Sequence, residues 1–284
     1  MKAKLLLSSI LILFIANSFK IESPTDQNLN ISFLLDLSDR IDPKKNSNPA
    51  MEYYQRDIQY IKSIEKAFIE HVKRKKILRL NDQMQVFFDP EPKNPQINKL
   101  SQQLKVSFNK RSNKADIEKI EKIFSEVPAR IYQSAIKDNK FVGSDIWGFF
   151  KENVNDYCIK PNSRNILFIL TDGYMFHEDS KFMEGSKSSY LTSKLIKTFK
   201  LNTSNYKALM QKNGYGFIKA NQDLNNLEVV VLGVNPVKGN PFEIDVINKY
   251  WVDWFKEMKV KTYMIKRADL PSDLDPIIKK YINP

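Results

Sequence analysis

Three short apolar runs, each ending in a polar or glycine signal, constrain this chain more than any other feature. They are Ile31-Ser32-Phe33-Leu34-Leu35-Asp36, Asn165-Ile166-Leu167-Phe168-Ile169-Leu170-Thr171-Asp172 and Leu227-Glu228-Val229-Val230-Val231-Leu232-Gly233. Runs of this length without alternation suit strands buried on both faces, as parallel strands are when crossover helices cover both sides of the sheet. Between them the apolar period changes to three and four. Ile58, Ile61, Ile64, Phe68 and Val72 predict an amphipathic helix over 51–76. Ile117, Ile120, Phe124 and Val127 predict a second over 113–137, which Pro128 should break or kink. A shorter helix is expected over 145–158. Asn240-Pro241-Phe242-Glu243 reads as a capping box opening a helix through Met258, with Trp251, Trp254 and Phe255 at core spacing. A last helix spans 273–282. Further strands are expected at 83–88, 104–108 and 261–266, the last alternating like an edge strand, and 90–95 reads as a loop. This alternation predicts an α/β domain, doubly wound, with a mostly parallel central sheet and helices on both faces.

The 284 residues, 42% hydrophobic and 27% charged, suffice for one large unit with a sizeable core. Met1-Lys2-Ala3-Lys4, the apolar run Leu5 to Ile15 and the small-x-small Ala16-Asn17-Ser18 together read as a signal peptide over 1–18. The run is too short to span a bilayer, which takes about 20 residues. The rest, 19–284, is expected to be a single exported domain, periplasmic or secreted, with no membrane span. Cys158 is the only cysteine, so no intramolecular disulfide can form. It reads as a small core residue. The net charge is +12, and removing the two lysines of residues 1–18 lowers it to +10. The densest basic run, His71 to Arg79, lies at the end of a predicted helix, where the helix dipole favours cations. It reads mostly as a solvated face.

In open α/β sheets ligands bind at the carboxyl ends of strands, near the point where strand order reverses. Asp36 and Asp172 close two of the apolar runs, in Asp36-Leu37-Ser38-Asp39-Arg40 and Thr171-Asp172-Gly173. A third polar cluster, Gly143-Ser144-Asp145, opens a predicted helix with Ser144 as its expected N-cap. Together, from about Ile31 to the C-terminus, these pieces resemble the von Willebrand factor A domain. The metal-ion-dependent adhesion site of that family has an Asp-x-Ser-x-Ser loop, a distant Thr and an Asp in Thr-Asp-Gly. The resemblance implies a divalent cation, Mg²⁺ first, held by hydroxyls of Ser38 and Ser144, with Asp36 and Asp172 supplying charge directly or through water. Such a site implies a protein-binding, adhesion or scaffold domain whose metal accepts a carboxylate from a partner. The loop departs from the pattern at Arg40, where the family has its second serine. A guanidinium carries donors only and cannot be a ligand. Arg40 can turn outward, or turn inward, pair with Asp36 or Asp172 and take the metal's place. The long connection 174–226 follows Asp172 directly and is expected to flank the site and shape partner choice.

Catalysis has little support. A haloacid dehalogenase-type phosphatase needs a second Asp two residues after the first, where this chain has Ser38. The only histidines, His71 and His177, form no His-Glu-x-x-His pattern, and His177-Glu178-Asp179 reads as solvated loop. Gly214-Tyr215-Gly216 lacks the continuation of a phosphate loop. Two other functions stay open: a metal-dependent phosphoester hydrolase using Asp36 and Asp172, and a basic module binding nucleic acid or anionic polymer through Lys73–Arg79. Nucleic acid is the less expected partner.

Overall fold

The computed structural model describes residues 27–284, so the targeting segment over 1–18 lies outside the described residues. The chain alternates strands and helices. β1 (Asn28–Leu35) leads to α1 (Tyr53–Arg74), β2 (Asn81–Phe87), α2 (Pro95–Gln103), β3 (Val106–Asn109) and α3 (Lys114–Asp138). α4 (Ile146–Gly148), a π turn over Phe149–Asn153 and α5 (Val154–Cys158) precede β4 (Ser163–Leu170). The connection after β4 holds β5 (Met183–Glu184), β6 (Lys187–Ser188), α6 (Ser193–Thr198), α7 (Tyr206–Asn213) and β7 (Gly216–Phe217). β8 (Leu227–Val234), α8 (Glu243–Glu257), β9 (Thr262–Arg267) and α9 (Pro271–Ile282) complete the chain.

The central sheet has the order β3-β2-β1-β4-β8-β9. Every pair is parallel except β2 with β3, which is antiparallel. Numbered by themselves, the six strands run 3-2-1-4-5-6, the order of doubly wound folds, and the order reverses between β1 and β4. The helices divide between the faces. Ile31, Phe33 and Leu35 of β1 pack with Ile61, Ile64 and Phe68 of α1, Phe124 and Ile131 of α3, and Leu274 and Ile278 of α9. Leu34, Leu167, Ile169, Val229 and Val231 point to the other face, into Phe149, Phe150, Val154, Trp251, Trp254 and Phe255. Each of these large side chains contributes about 1.5–3 kcal/mol by burial, and their alternation across the pleat fixes the register. The mixed α/β fold expected from the runs is therefore the fold observed. Cys158 is buried at 1% exposure, and burial raises its thiol pKa to about 12, as suits a core residue.

Several local expectations are corrected. The stretch read as loop, 90–95, is loop as far as Asn94, and an unexpected helix starts at its last residue. The Asn94 side chain caps the Gln96 N–H, and Pro95 opens α2 at its first position. Pro128 does not end α3, which runs through it to Asp138. The proline costs roughly 3 kcal/mol in a helix interior, but Phe124, Val127, Ile131 and Tyr132 bury on both sides of it and offset that cost. Ser144 is not the cap of α4; the Asp145 carboxylate accepts from Gly148 N–H at 2.8 Å. Among the described residues no helix is long and apolar enough to cross a membrane.

The basic run is not uniformly solvated either. His71 and Lys75 are buried, and the Lys75 ammonium lies 2.8 Å from Asp82, which is fully buried. The exposed remainder includes Lys73, Arg74, Lys76 and Arg79.

Glu65 on α1 is 4% exposed, and its Oε1 has no hydrogen-bond partner among the described residues. Burial, with the Glu121 charge adding to it, pushes its carboxyl up to about 7. The folded state therefore holds a proton that the unfolded chain releases near the ordinary carboxylate range. Its contribution is complete below that range and is lost as pH rises through about 7. Glu65→Gln is expected to raise stability by roughly 2 kcal/mol at pH 8 and to change little at pH 4. Urea midpoints of both proteins across that range test this, and a mutant curve parallel to the parent's would refute it.

Candidate functional site

The carboxyl ends of β1, β4 and β8 are stitched together beside the reversal point. Asp36 N–H donates to Leu170 O at 3.1 Å, Thr171 N–H to Leu232 O at 3.1 Å, and Asn235 N–H to Asp172 O at 2.8 Å. Gly233 has φ +98°, and a Cβ there would stand 3.0 Å from Thr171 O, so the close approach of β8 to the turn after β4 requires glycine. These bonds bring Asp36 and Asp172, 136 residues apart in sequence, to one edge.

Asp36 is 2% exposed and both its oxygens are engaged. Oδ1 accepts from the Ser38 backbone N–H at 2.8 Å, and Oδ2 accepts from the Thr171 hydroxyl at 2.8 Å. A single 3₁₀ turn, Asp39–Ile41, then carries Arg40 back under the site rather than outward. Its Nε donates to Asp36 O at 3.1 Å and lies 3.4 Å from Asp36 Oδ2. Its Nη2 donates to Leu170 O at 2.8 Å and to Asp57 Oδ2 at 2.5 Å. Tyr132, on α3, donates its hydroxyl to the same Asp57 oxygen at 3.0 Å. Arg40 is 5% exposed and Asp57 1%. Burial works against the guanidinium charge, but Asp57 and then Asp36 outweigh it and hold the pKa above its ordinary value. Burial also pushes the Asp57 carboxyl up, while the Arg40 charge and hydrogen bond pull it back. The Tyr132 hydroxyl is raised by burial and by Asp57, so it stays a donor.

Asp172 sits half-buried next to this pair, its Oδ1 accepting from Tyr174 N–H at 3.1 Å. Burial, then the Asp36 charge, push its carboxyl up to about 7 against the pull of Arg40. The turn that carries it is braced from behind. Trp251 Nε1 donates to Gly173 O at 2.8 Å, and the Tyr174 hydroxyl donates to Glu243 Oε1 at 2.5 Å. Arg40 and Asp172 line a pocket of about 370 Å³ with Tyr53, Asn235, Lys45 and Lys238. Lys45 and Lys238 are exposed at its rim, and Lys45 also pairs with the exposed Asp39 at 3.2 Å.

The four expected site residues fare differently. Asp36 and Asp172 both face Arg40. Ser38 contributes its backbone N–H to Asp36, and its hydroxyl enters no hydrogen bond among the described residues. Ser144 is buried, and its backbone bonds Phe176 O at 2.8 Å, tying it to the chain just past Asp172. No hydrogen bond joins its side chain to Asp36 or Asp172. Arg40 takes the inward course, with Asp36 and Asp57 as partners. A cation at this point would share Asp36 with a guanidinium, and among the described residues no group of three or more His, Cys, Asp or Glu is placed to hold an ion together. Sequence reasoning does not assign three contributors to the site: Thr171, Asp57 and Tyr132. Thr171 adjoins Asp172 and carries a visible signal as the polar end of a buried run. Asp57 is detectable only as an acid interrupting the apolar face of α1. His177, expected in solvent, is instead 14% exposed, 3.7 Å from the Asp145 carboxylate.

No family model matches the chain, and no curated protein matches it. A mutant of the PilB minor pilin from Streptococcus sanguinis is a similar solved structure, with a TM-score of 0.42 and 11% sequence identity. The likeness covers 90% of this chain and 61% of that one, so the chain spans about three fifths of the pilin's length.

Proposed function

We propose that this chain is a partner-binding domain of the von Willebrand factor A type in which the buried Arg40 stands where that family holds a cation. One observation carries the reading. The guanidinium lies within bonding distance of Asp36 and Asp57 at the carboxyl edge of the sheet, and it lines an open pocket rimmed by Lys45 and Lys238. Arg40 is itself paired with Asp36 and Asp57, so the cations that would draw a partner carboxylate to this pocket are Lys45 and Lys238 at its mouth. A carboxylate is also the group a metal-dependent adhesion site would take from its partner. Asp36 is fully engaged, and Arg40 is no base. A divalent cation held by Asp36, Ser38, Ser144 and Asp172 is the competing reading, and it differs in one measurable respect.

The test uses a fluorescent acidic peptide rich in Asp and Glu, titrated into residues 19–284 in Mg²⁺ and in EDTA. Binding is expected to be equal in both, and to fall at least about tenfold in Lys45→Glu/Lys238→Glu with an unchanged melting temperature. Binding seen only in Mg²⁺ supports the metal reading instead. Binding that survives the double substitution removes the pocket from consideration.

A further inference from the structure

The opposite edge of the sheet carries a second surface, separate from the pocket. The tight turn Ile77–Arg79 joins α1 to β2 there. Leu78 is 85% exposed and Ile77 57%, the two most exposed of the large hydrophobic side chains among the described residues. Two adjacent aliphatic side chains on a rigid turn add nothing to either core.

Cations surround them. Arg74 and Lys76 are exposed on the same turn. β3 packs against the turn, and its register with β2 sets Asn109 opposite Asn81, so exposed Lys110 and Arg111 follow immediately beside it. Lys73 is exposed as well but pairs with Glu121 at 2.8 Å, so it contributes less. The chain also enters the fold at this place. Gln27 O, on the first described residue, is bonded by His71 Nε2 at 3.0 Å and Lys75 Nζ at 3.4 Å.

We infer that this edge is a docking surface for an anionic phospholipid bilayer, with Ile77 and Leu78 inserting among the headgroups and Arg74, Lys76, Lys110 and Arg111 meeting lipid phosphates. Charge complementarity and the exposed aliphatic pair fit that one occupant together: a nucleic acid would use the cations and leave Leu78 idle. β1, β4 and β8 are eight residues long, which sets the pocket roughly 25 Å from this surface along the strands. A domain resting on a membrane by this edge would present its pocket outward.

Residues 19–284 contain every element and both cores of the described residues, so this form can be sedimented with vesicles. The vesicles are phosphatidylcholine alone, or phosphatidylcholine mixed with phosphatidylglycerol. Partitioning is expected into the mixed vesicles only. It should fall roughly tenfold in Lys76→Glu/Lys110→Glu/Arg111→Glu and roughly tenfold in Ile77→Ser/Leu78→Ser. All five positions are exposed, and melting temperatures of both variants check that the fold is intact. No partitioning of the parent overturns the proposal. So does full partitioning of Ile77→Ser/Leu78→Ser alongside loss in the charge variant, which would mark a general polyanion surface; retention on heparin that ignores the aliphatic pair would say the same.

Discussion

Arg40→Met is expected to destabilise the domain by about 3–5 kcal/mol, a large share of the roughly 5–15 kcal/mol that holds a typical fold. Methionine keeps the apolar stem of arginine out to the position of Nε, so most of the stem's packing is retained. What is lost is the charge between two buried carboxylates. Asp57, at 1% exposure, would keep only the Tyr132 hydroxyl, and Asp36 would keep the Ser38 N–H and the Thr171 hydroxyl. Leu170 O would lose its Nη2 donor as well. Arg40→Lys should recover little, because one ammonium cannot reproduce a fork that reaches Asp36 O, Leu170 O and Asp57 together. The control is Arg40→Met with Asp57→Asn, which removes one orphaned charge and should return at least about 1 kcal/mol relative to the sum of the single changes. Urea unfolding measures each of these proteins, and a change below about 1 kcal/mol in Arg40→Met would show that the pair is dispensable. Arg40→Ser gives the same position a second use. It restores the hydroxyl the family pattern has there and removes the competing cation. Mg²⁺ is expected to raise the melting temperature of Arg40→Ser while leaving the parent unmoved.

The strands are legible in the sequence and the site only partly so, for a physical reason. β1, β4 and β8 are buried on both faces, and that environment leaves a continuous apolar run that needs no knowledge of the partners. Asp36 and Asp172 are visible for the same reason, as the acids at the polar ends of such runs. The identity of the site's other half is not. Asp57 and Tyr132 matter only because α1 and α3 pack side by side over the edge of the sheet, and nothing local in either helix says that their polar atoms will meet Arg40. The loop sequence allows Arg40 to turn either way, and the choice rests on Asp57, which no spacing rule connects to it. Short elements are hidden differently. α2 follows a proline-rich loop and is not expected from the sequence, although Asn94 before Pro95 is a legitimate helix start. His71 and Lys75 read as solvated with their neighbours because a basic run at a helix end usually is; the buried acid that claims them lies on the next strand.

That acid is Asp82, and Asp82→Asn is expected to cost about 3–5 kcal/mol. Its carboxylate is fully buried and saturated. Oδ1 accepts from Leu29 N–H at 2.7 Å and from Lys75 Nζ at 3.0 Å, and Oδ2 accepts from Lys75 Nζ at 2.8 Å. His71 Nε2 stands 3.3 Å from Oδ1. Burial alone would push the carboxyl up; the bonds from His71, Lys75 and the Leu29 backbone overcome it and hold the pKa below the ordinary carboxylate range. Asparagine preserves the shape and one carbonyl acceptor but leaves the Lys75 ammonium, whose side chain is 0% exposed, with neutral partners only: that amide, the Asn28 side chain and Gln27 O. An unpaired buried ammonium must lose its proton or draw in water, and both are costly. The acid limb gives a second readout with a definite sign. A depressed folded pKa contributes stability that is present above the ordinary carboxylate range and is lost as pH falls through the folded value. Asp82→Asn should therefore differ most from the parent at neutral pH and converge on it in acid. Lys75→Met with Asp82→Leu replaces the pair by apolar groups and is expected to lie within about 1.5 kcal/mol of the parent, since the cost comes from breaking the pair rather than from lacking it. If the double replacement were as unstable as Asp82→Asn, the ion pair itself would be holding β1 against β2, and an orphaned charge could not be the source of the damage.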